Sequence, residues 1–136
     1  MTLQGRCKFG GSCSPSILHW TTLNFFHDPP DDRFASSEYT VQYLKTNCYP
    51  VARPECFGDM VFVLNRNGGA IHSAVYLAED IVFTKNGNDG AQPWMLMRLK
   101  DLVGLYSPEP GMRLAVYRLR ARQLENPVTQ TAANTR

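Results

Sequence analysis

The chain predicts an α+β domain, an N-terminal helix packed on a small antiparallel sheet, and three observations carry that prediction. An apolar stripe at helical spacing follows Ser14-Pro15. Short runs rich in Val, Ile and aromatics, at about 60–64, 70–77 and 81–85, succeed one another across a Gly-containing turn (Asn65–Gly69) and a tight break (Ala78-Glu79-Asp80). The full order then reads helix, helix, strand, strand, strand, helix, strand.

Residues 1–12 are polar and Gly-rich, a loop or a frayed start. Ser14 suits an N-cap and Pro15 the first helical position. Ile17, Trp20, Leu23 (or Asn24) and Phe26 then recur about one turn apart until Asp28-Pro29-Pro30-Asp31-Asp32 stops the helix. Ser36-Ser37-Glu38 caps a second helix from Ser37 to Lys45, with Tyr39, Val41 (or Gln42), Tyr43 and Leu44 inward. Asn47–Phe57 holds prolines and cysteines and reads as an irregular crossing into the sheet. Alternation along the three runs is expected to place Val61, Val63, Val75, Leu77, Ile81 and Phe83 on one buried face. Asn86–Pro93 reads as a loop, and Trp94–Tyr106 (WMLMRLKDLVGLY) as a helix with Trp94, Met97, Leu102 (or Leu99) and Leu105 inward. Pro108-Glu109-Pro110-Gly111 turns the chain into a last strand, Met112–Arg120.

A length of 136 residues fits one domain, placed at 1–122, with a polar tail at 123–136 that reads as disordered. A net charge of +2 argues against a nucleic-acid partner, and Arg113, Arg118, Arg120 and Arg122 read as a solvated face. No apolar run approaches the length of a membrane span. The opening MTLQGRCKFGG has no apolar signal core, so the expectation is a chain that is cytosolic, already processed, or a fragment. The cysteines are Cys7, Cys13, Cys48 and Cys56. A core of this size does not need disulfides, and the spacings are looser than structural zinc knuckles favour. At least one free, functional thiol is expected, and no metal or cofactor.

The segment GDMVFVL (58–64), with HSAVYLA (72–78) and VFTKNG (82–87), resembles the NlpC-type cell-wall peptidases and their CHAP-type amidase relatives. Their core commonly reads G-D-[LIV]-[VL]-F-F … H-[VS]-[GA]-[IV]-Y-[LI]-G … F-I-H, and the likeness covers roughly residues 55–87. It implies a papain-like core and a thiol hydrolase that cleaves an amide bond in a peptide or peptidoglycan-like substrate through an acyl-thioester. His72 would be general base and then general acid. The words SCSPSIL resemble the nucleophile motif D-C-S-G-[LF]-[VT], with Ser12 and Pro15 where the motif has Asp and Gly, which makes Cys13 the expected nucleophile.

Cys13 lies just before the predicted helix start, where unpaired N–H groups, the helix dipole and an imidazolium can lower a thiol pKa. Cys7 is a remote second candidate. The third triad residue falls about a dozen positions after His72, among Thr84, Lys85 and Asn86, with Asn86 the preferred acceptor. A backbone N–H at Cys13 or Ser14 would serve the oxyanion hole. Tyr76, Gln92 and Trp94 are candidate groove residues, while His19 and His27 read as structural or solvated. With the helix N-terminus over the start of the central strand, Cys13 is expected within about 3–4 Å of His72. A cell-wall substrate would imply a secreted or periplasmic setting.

Two alternatives stay open. In some bacterial relatives the cysteine directly precedes a His-Trp pair, and here Leu18 precedes His19-Trp20. In that register the nucleophile is lost and the domain is a binding or structural module. An acyltransferase of the lecithin:retinol type shares the fold family, but its usual apolar membrane-associating segment has no counterpart in this sequence.

Overall fold

The computed structural model describes residues 17–85 and 93–120. In chain order the elements are α1 (Ile17–Leu23), a 3-10 turn (Asp32–Ala35), α2 (Ser37–Asn47), β1 (Cys48–Val51), β2 (Met60–Leu64), β3 (Ala70–Ala78), β4 (Ile81–Lys85), β5 (Trp94–Arg98), α3 (Leu99–Tyr106) and β6 (Arg113–Leu119). The strands form one six-stranded sheet in the order β1-β6-β2-β3-β4-β5. Every neighbouring pair is antiparallel. The fold is therefore α+β, with β3 near the middle of the sheet.

Local chemistry explains most boundaries. α1 ends at Leu23, ahead of the Phe26 expected within it and well before Pro29 and Pro30, and Asn24 clips the chain back on itself: its Oδ1 accepts from Asp31 N at 2.6 Å and its Nδ2 donates to Asp31 O at 3.2 Å. Ser36 caps α2 by accepting from Tyr39 N at 3.3 Å. Between β2 and β3, Asn65 Oδ1 accepts from the N–H of Asn67 and of Gly69, each at 3.0 Å. The β3–β4 hairpin closes through Glu79 and Asp80, both at positive φ (48° and 68°), the two-residue turn whose twist matches the strands.

The pleat sorts the side chains into two layers. On one face α1, the 3-10 turn and α2 cover a cluster of Leu23, Phe34, Cys48, Met60, Phe62 and Leu119, with Trp20, Tyr39 and Tyr43 packed against it. On the other, α3 covers Ala74 and Val82 through Leu102, with Tyr76, Met97, Leu99 and Tyr106 around them. The expected one-face core divides accordingly. Val61 pairs with Ala74 and Val63 with His72, facing α3, whereas Val75 pairs with Met60 and faces α1. Val61, Val63 and Val75 are fully buried, but on β4 it is Val82 that is sealed, while Ile81, Phe83 and Leu77 are half-buried. A sheet covered on both faces buries both sets of alternating residues, so alternation alone did not reveal which set faced inward.

The helix expected over Trp94–Tyr106 begins only at Leu99. Trp94–Arg98 is a strand that pairs along β4 from Ile81↔Arg98 to Lys85↔Trp94. An apolar run satisfies either period, and β4 offers it a row of backbone partners that an isolated turn of helix lacks. β1, inside the stretch read as irregular, likewise forms because β6 supplies its partners.

Asp59 joins the β2 end of the sheet to its neighbours. The carboxylate accepts from the N–H of Glu55 and Cys56, each at 2.9 Å. It also receives a bidentate pair from Arg118, Nε at 2.7 Å and Nη2 at 2.8 Å. Burial pushes the Asp59 carboxyl up, but Arg118 and the two N–H groups outweigh it and the net displacement is downward. Arg118 is thus a partner to a buried carboxylate rather than part of a solvated face. Gly58 beside it has φ +89°, a conformation that a side chain would strain.

Replacing Arg118 by Met should cost on the order of 3 kcal/mol in urea denaturation, because it leaves the carboxylate buried and half-satisfied. A loss below about 1 kcal/mol would put the pair among inconsequential surface contacts.

Candidate functional site

His72 sits near the start of β3, opposite Val63 of β2, and its side chain is completely buried. The alternation of a strand turns His72, Ala74 and Tyr76 toward α3, and Ser73 and Val75 toward α1. Thr84 of β4 is paired with Ala74 and so lies diagonally beside His72 on the same face. Its Oγ1 is 2.6 Å from His72 Nε2 and donates to the Ser73 carbonyl at 3.1 Å. A threonine hydroxyl has a single proton. With that proton committed to Ser73, Oγ1 must accept, so His72 carries its proton on Nε2 and presents a bare lone pair at Nδ1.

Nδ1 is buried and has no hydrogen-bond partner among the described residues. Tyr106 of α3 stacks on the imidazole, ring centroids 5.0 Å apart and planes 24° from parallel. Burial, aided by the nearby His19, holds the His72 pKa down at about 4. The imidazole is therefore neutral at neutral pH and competent to accept a proton, though a weak base. A buried acceptor with no partner is uncommon enough in folded proteins to call for a role.

The opposite face of the same strand carries a second imidazole–hydroxyl group. Ser73 Oγ is 2.9 Å from His19 Nδ1 and 2.9 Å from Thr22 Oγ1, both on α1, and His19 Nε2 is 3.3 Å from the Ala70 carbonyl. The carbonyl can only accept, so Nε2 donates and Nδ1 receives the Ser73 hydroxyl proton. Burial lowers the His19 pKa, with the Ala70 bond pulling the other way. His19 is thus a structural histidine that fastens α1 to β3.

Of the residues expected to form the site, the structure brings Thr84 to His72. Cys13, Asn86 and Gln92, as well as Cys7, lie outside the described residues. Tyr76 shares the His72 face but is four residues along the strand, roughly 13 Å away at the usual rise. It packs with Ala74, Val82 and Leu102, and its hydroxyl accepts from Asp80 N at 3.4 Å. Trp94 pairs with Lys85 and therefore faces α1, on the side away from His72, where it stacks on Phe83 with centroids 5.3 Å apart.

Cys48 and Cys56 are both free thiols. Cys48 is three strand positions from β3, roughly 14 Å, and burial pushes its thiol up to about 11. Cys56 lies at the other end of the sheet, in the turn bonded to Asp59. Neither can serve His72.

Tyr106 went unforeseen, and nothing in the sequence signals it, since it reaches His72 only through the packing of α3. Among the described residues, no group of three or more His, Cys, Asp or Glu side chains could hold a metal ion, and no helix is long and apolar enough to cross a membrane.

The folded-state pKa of His72 is below the unfolded value of 6.5, so its contribution to stability is fully present above pH 6.5 and lost as pH falls toward 4. Relative to His72→Gln, which keeps a donor toward Thr84 and cannot charge, the wild-type protein should lose about 3 kcal/mol between pH 7 and pH 4. Denaturation curves at both pH values check this, and parallel losses in the two proteins would mean the imidazole is not held neutral. His19, shifted the same way, adds to the acid sensitivity of both.

Compared with family models, with curated proteins and with solved structures, the chain matches none.

Proposed function

We propose that this domain is a thiol hydrolase of papain-like, NlpC-type architecture, a cysteine peptidase or amidase in which His72 is the base, Thr84 its orienting partner and Cys13 the nucleophile. One observation supports it above the others: the buried, unpartnered Nδ1 of a neutral His72 whose Nε2 is anchored by a hydroxyl on the next strand. That division of labour between ring nitrogens is what proton shuttling from a thiol requires, one nitrogen held and the other open. Thr84 takes the orienting place for which Asn86 was preferred.

In the reaction, the Cys13 S–H proton passes to Nδ1 as sulfur attacks the amide carbonyl carbon. The resulting tetrahedral oxyanion collapses to an acyl-thioester while Nδ1–H protonates the leaving amine. Nδ1 then takes a proton from water, whose oxygen attacks the thioester, and returns that proton to sulfur as the acid product leaves. A cell-wall peptide as the substrate rests on the sequence resemblance alone.

A second reading, the non-catalytic binding module, is favoured by a specific observation. With an ordinary thiol pKa of about 8.5 and His72 at about 4, proton transfer in the closed site is uphill by roughly 6 kcal/mol. Thr84 accepts the Nε2–H bond but brings no negative charge to stabilise an imidazolium. Leu18 immediately before His19-Trp20 points the same way.

The two readings part on a covalent adduct. With a short peptide activated ester, mass spectrometry should find an acyl group on Cys13, formed at least about a hundredfold more slowly in His72→Gln. Absence of any acylated cysteine in the folded wild-type protein sinks the hydrolase and leaves the binding module. Cys13→Ala should abolish the adduct and leave melting unchanged.

A further inference from the structure

The atom that the proposed chemistry needs is sealed. His72 has no exposed surface, Thr84 occupies its Nε2 edge, and the Tyr106 ring lies flat against the imidazole. Its backbone is paired along both edges, with β2 and β4, so the ring is approached from the face on which α3 packs. Among the described residues, α3 covers that face. That helix is tied at its start by Leu99 N–H to the Asp80 carbonyl at 2.7 Å, but it is less buried than the central strands beneath it. Of its eight residues only Leu102 is fully buried, and Leu105 is 60% exposed. Its N-cap, Arg98, makes no side-chain capping bond. Beyond it the chain passes through the turn Ser107–Gly111 before rejoining the sheet in β6.

We infer that α3 is a lid over the His72 imidazole and that Tyr106 is the gating residue, its ring lifting off as the helix opens the imidazole to an extended peptide and to the group that gives Nδ1 its proton. The inference rests on the reading of His72 as a base. It also answers the energetic objection to that reading, since removing the cover restores solvent to the ring and relieves the burial that weakens it as a base. Closed, the site is inert; open, it gains both access and basicity. The motion asked of the chain is local, a release of Leu102 and Tyr106 from Ala74 and Val82, with the sheet intact.

Carbethoxylation of His72 by diethyl pyrocarbonate at pH 7, mapped by peptide mass, tests the lid without any use of the thiol. In the wild-type protein His72 should react at least about a hundredfold more slowly than N-acetylhistidine, a protection set by the rarity of the open helix. Tyr106→Ala should raise that rate about tenfold or more, while Tyr106→Phe, which keeps the stack, and Leu105→Ala, on the exposed side of the helix, should not. An unprotected His72 in the wild-type protein, or an unchanged rate in folded Tyr106→Ala, overturns the lid. If Tyr106→Ala does not fold, amide exchange in the wild-type protein decides. Amides of α3 should exchange about tenfold or more faster than those of β3, and exchange of the two together overturns the lid. An acyl adduct on Cys13 is read separately, so failure of the lid and failure of the hydrolase reading give different results.

Discussion

β3 is paired along both edges and covered on both faces, and much of the molecule follows from that constraint. A strand in this position has no water to satisfy its polar side chains, so His72 and Ser73 must find partners within the protein or bear the desolvation cost. Each finds one on its own side. His72 is held by Thr84, and Ser73 by Thr22 and His19. The peptide between them serves both groups, because the Ser73 carbonyl takes the Thr84 proton and thereby fixes the tautomer of His72. Among the described residues, what burial leaves over is one unsatisfied side-chain nitrogen, His72 Nδ1.

The same constraint shapes the chemistry available there. α1 packs on the face that Ser73 presents, and His72 looks the other way, toward α3. Among the described residues each imidazole is bonded to a neutral hydroxyl, Ser73 for His19 and Thr84 for His72, and burial pulls both pKa values downward. The arrangement favours a rigid, correctly oriented ring over a strong base. Rigidity is valuable to catalysis only if the cover can be removed, which is why α3 matters as much as the triad positions do.

Stability is anchored elsewhere. Asp59, sealed between the Glu55 and Cys56 amides and the Arg118 fork, joins the turn before β2 to β6 and through it to the β1 side of the sheet. Its backbone also belongs to the sheet, since Tyr76 N donates to the Asp59 carbonyl at 2.8 Å while Gly58 N donates to the Tyr76 carbonyl at 2.8 Å. That knot lies at the end of β3 away from His72. Tyr76 links the two regions, its backbone bonded into the knot and its side chain packed with Leu102 of α3.

Read by itself, the sequence determined the α+β class, the three consecutive strands at about 60–64, 70–77 and 81–85, the Ser36-capped helix, the final strand, and the singular position of His72, because turn chemistry and helix caps are written in adjacent residues. It also brought Thr84 beside His72, since strand geometry converts a spacing of a dozen residues across a tight hairpin into proximity, while the preferred Asn86 lies outside the described residues. It did not determine which face of the sheet was buried, because both are. The strand character of Trp94–Arg98 came from the open edge of β4, and β1 from its pairing with β6, neither of which is local. Arg118 looked solvated until the fold carried it to Asp59, and Tyr106 reached His72 only when α3 settled on Ala74 and Val82. Those contacts join residues far apart in the chain, and only the tertiary packing of a two-sided sheet could decide them.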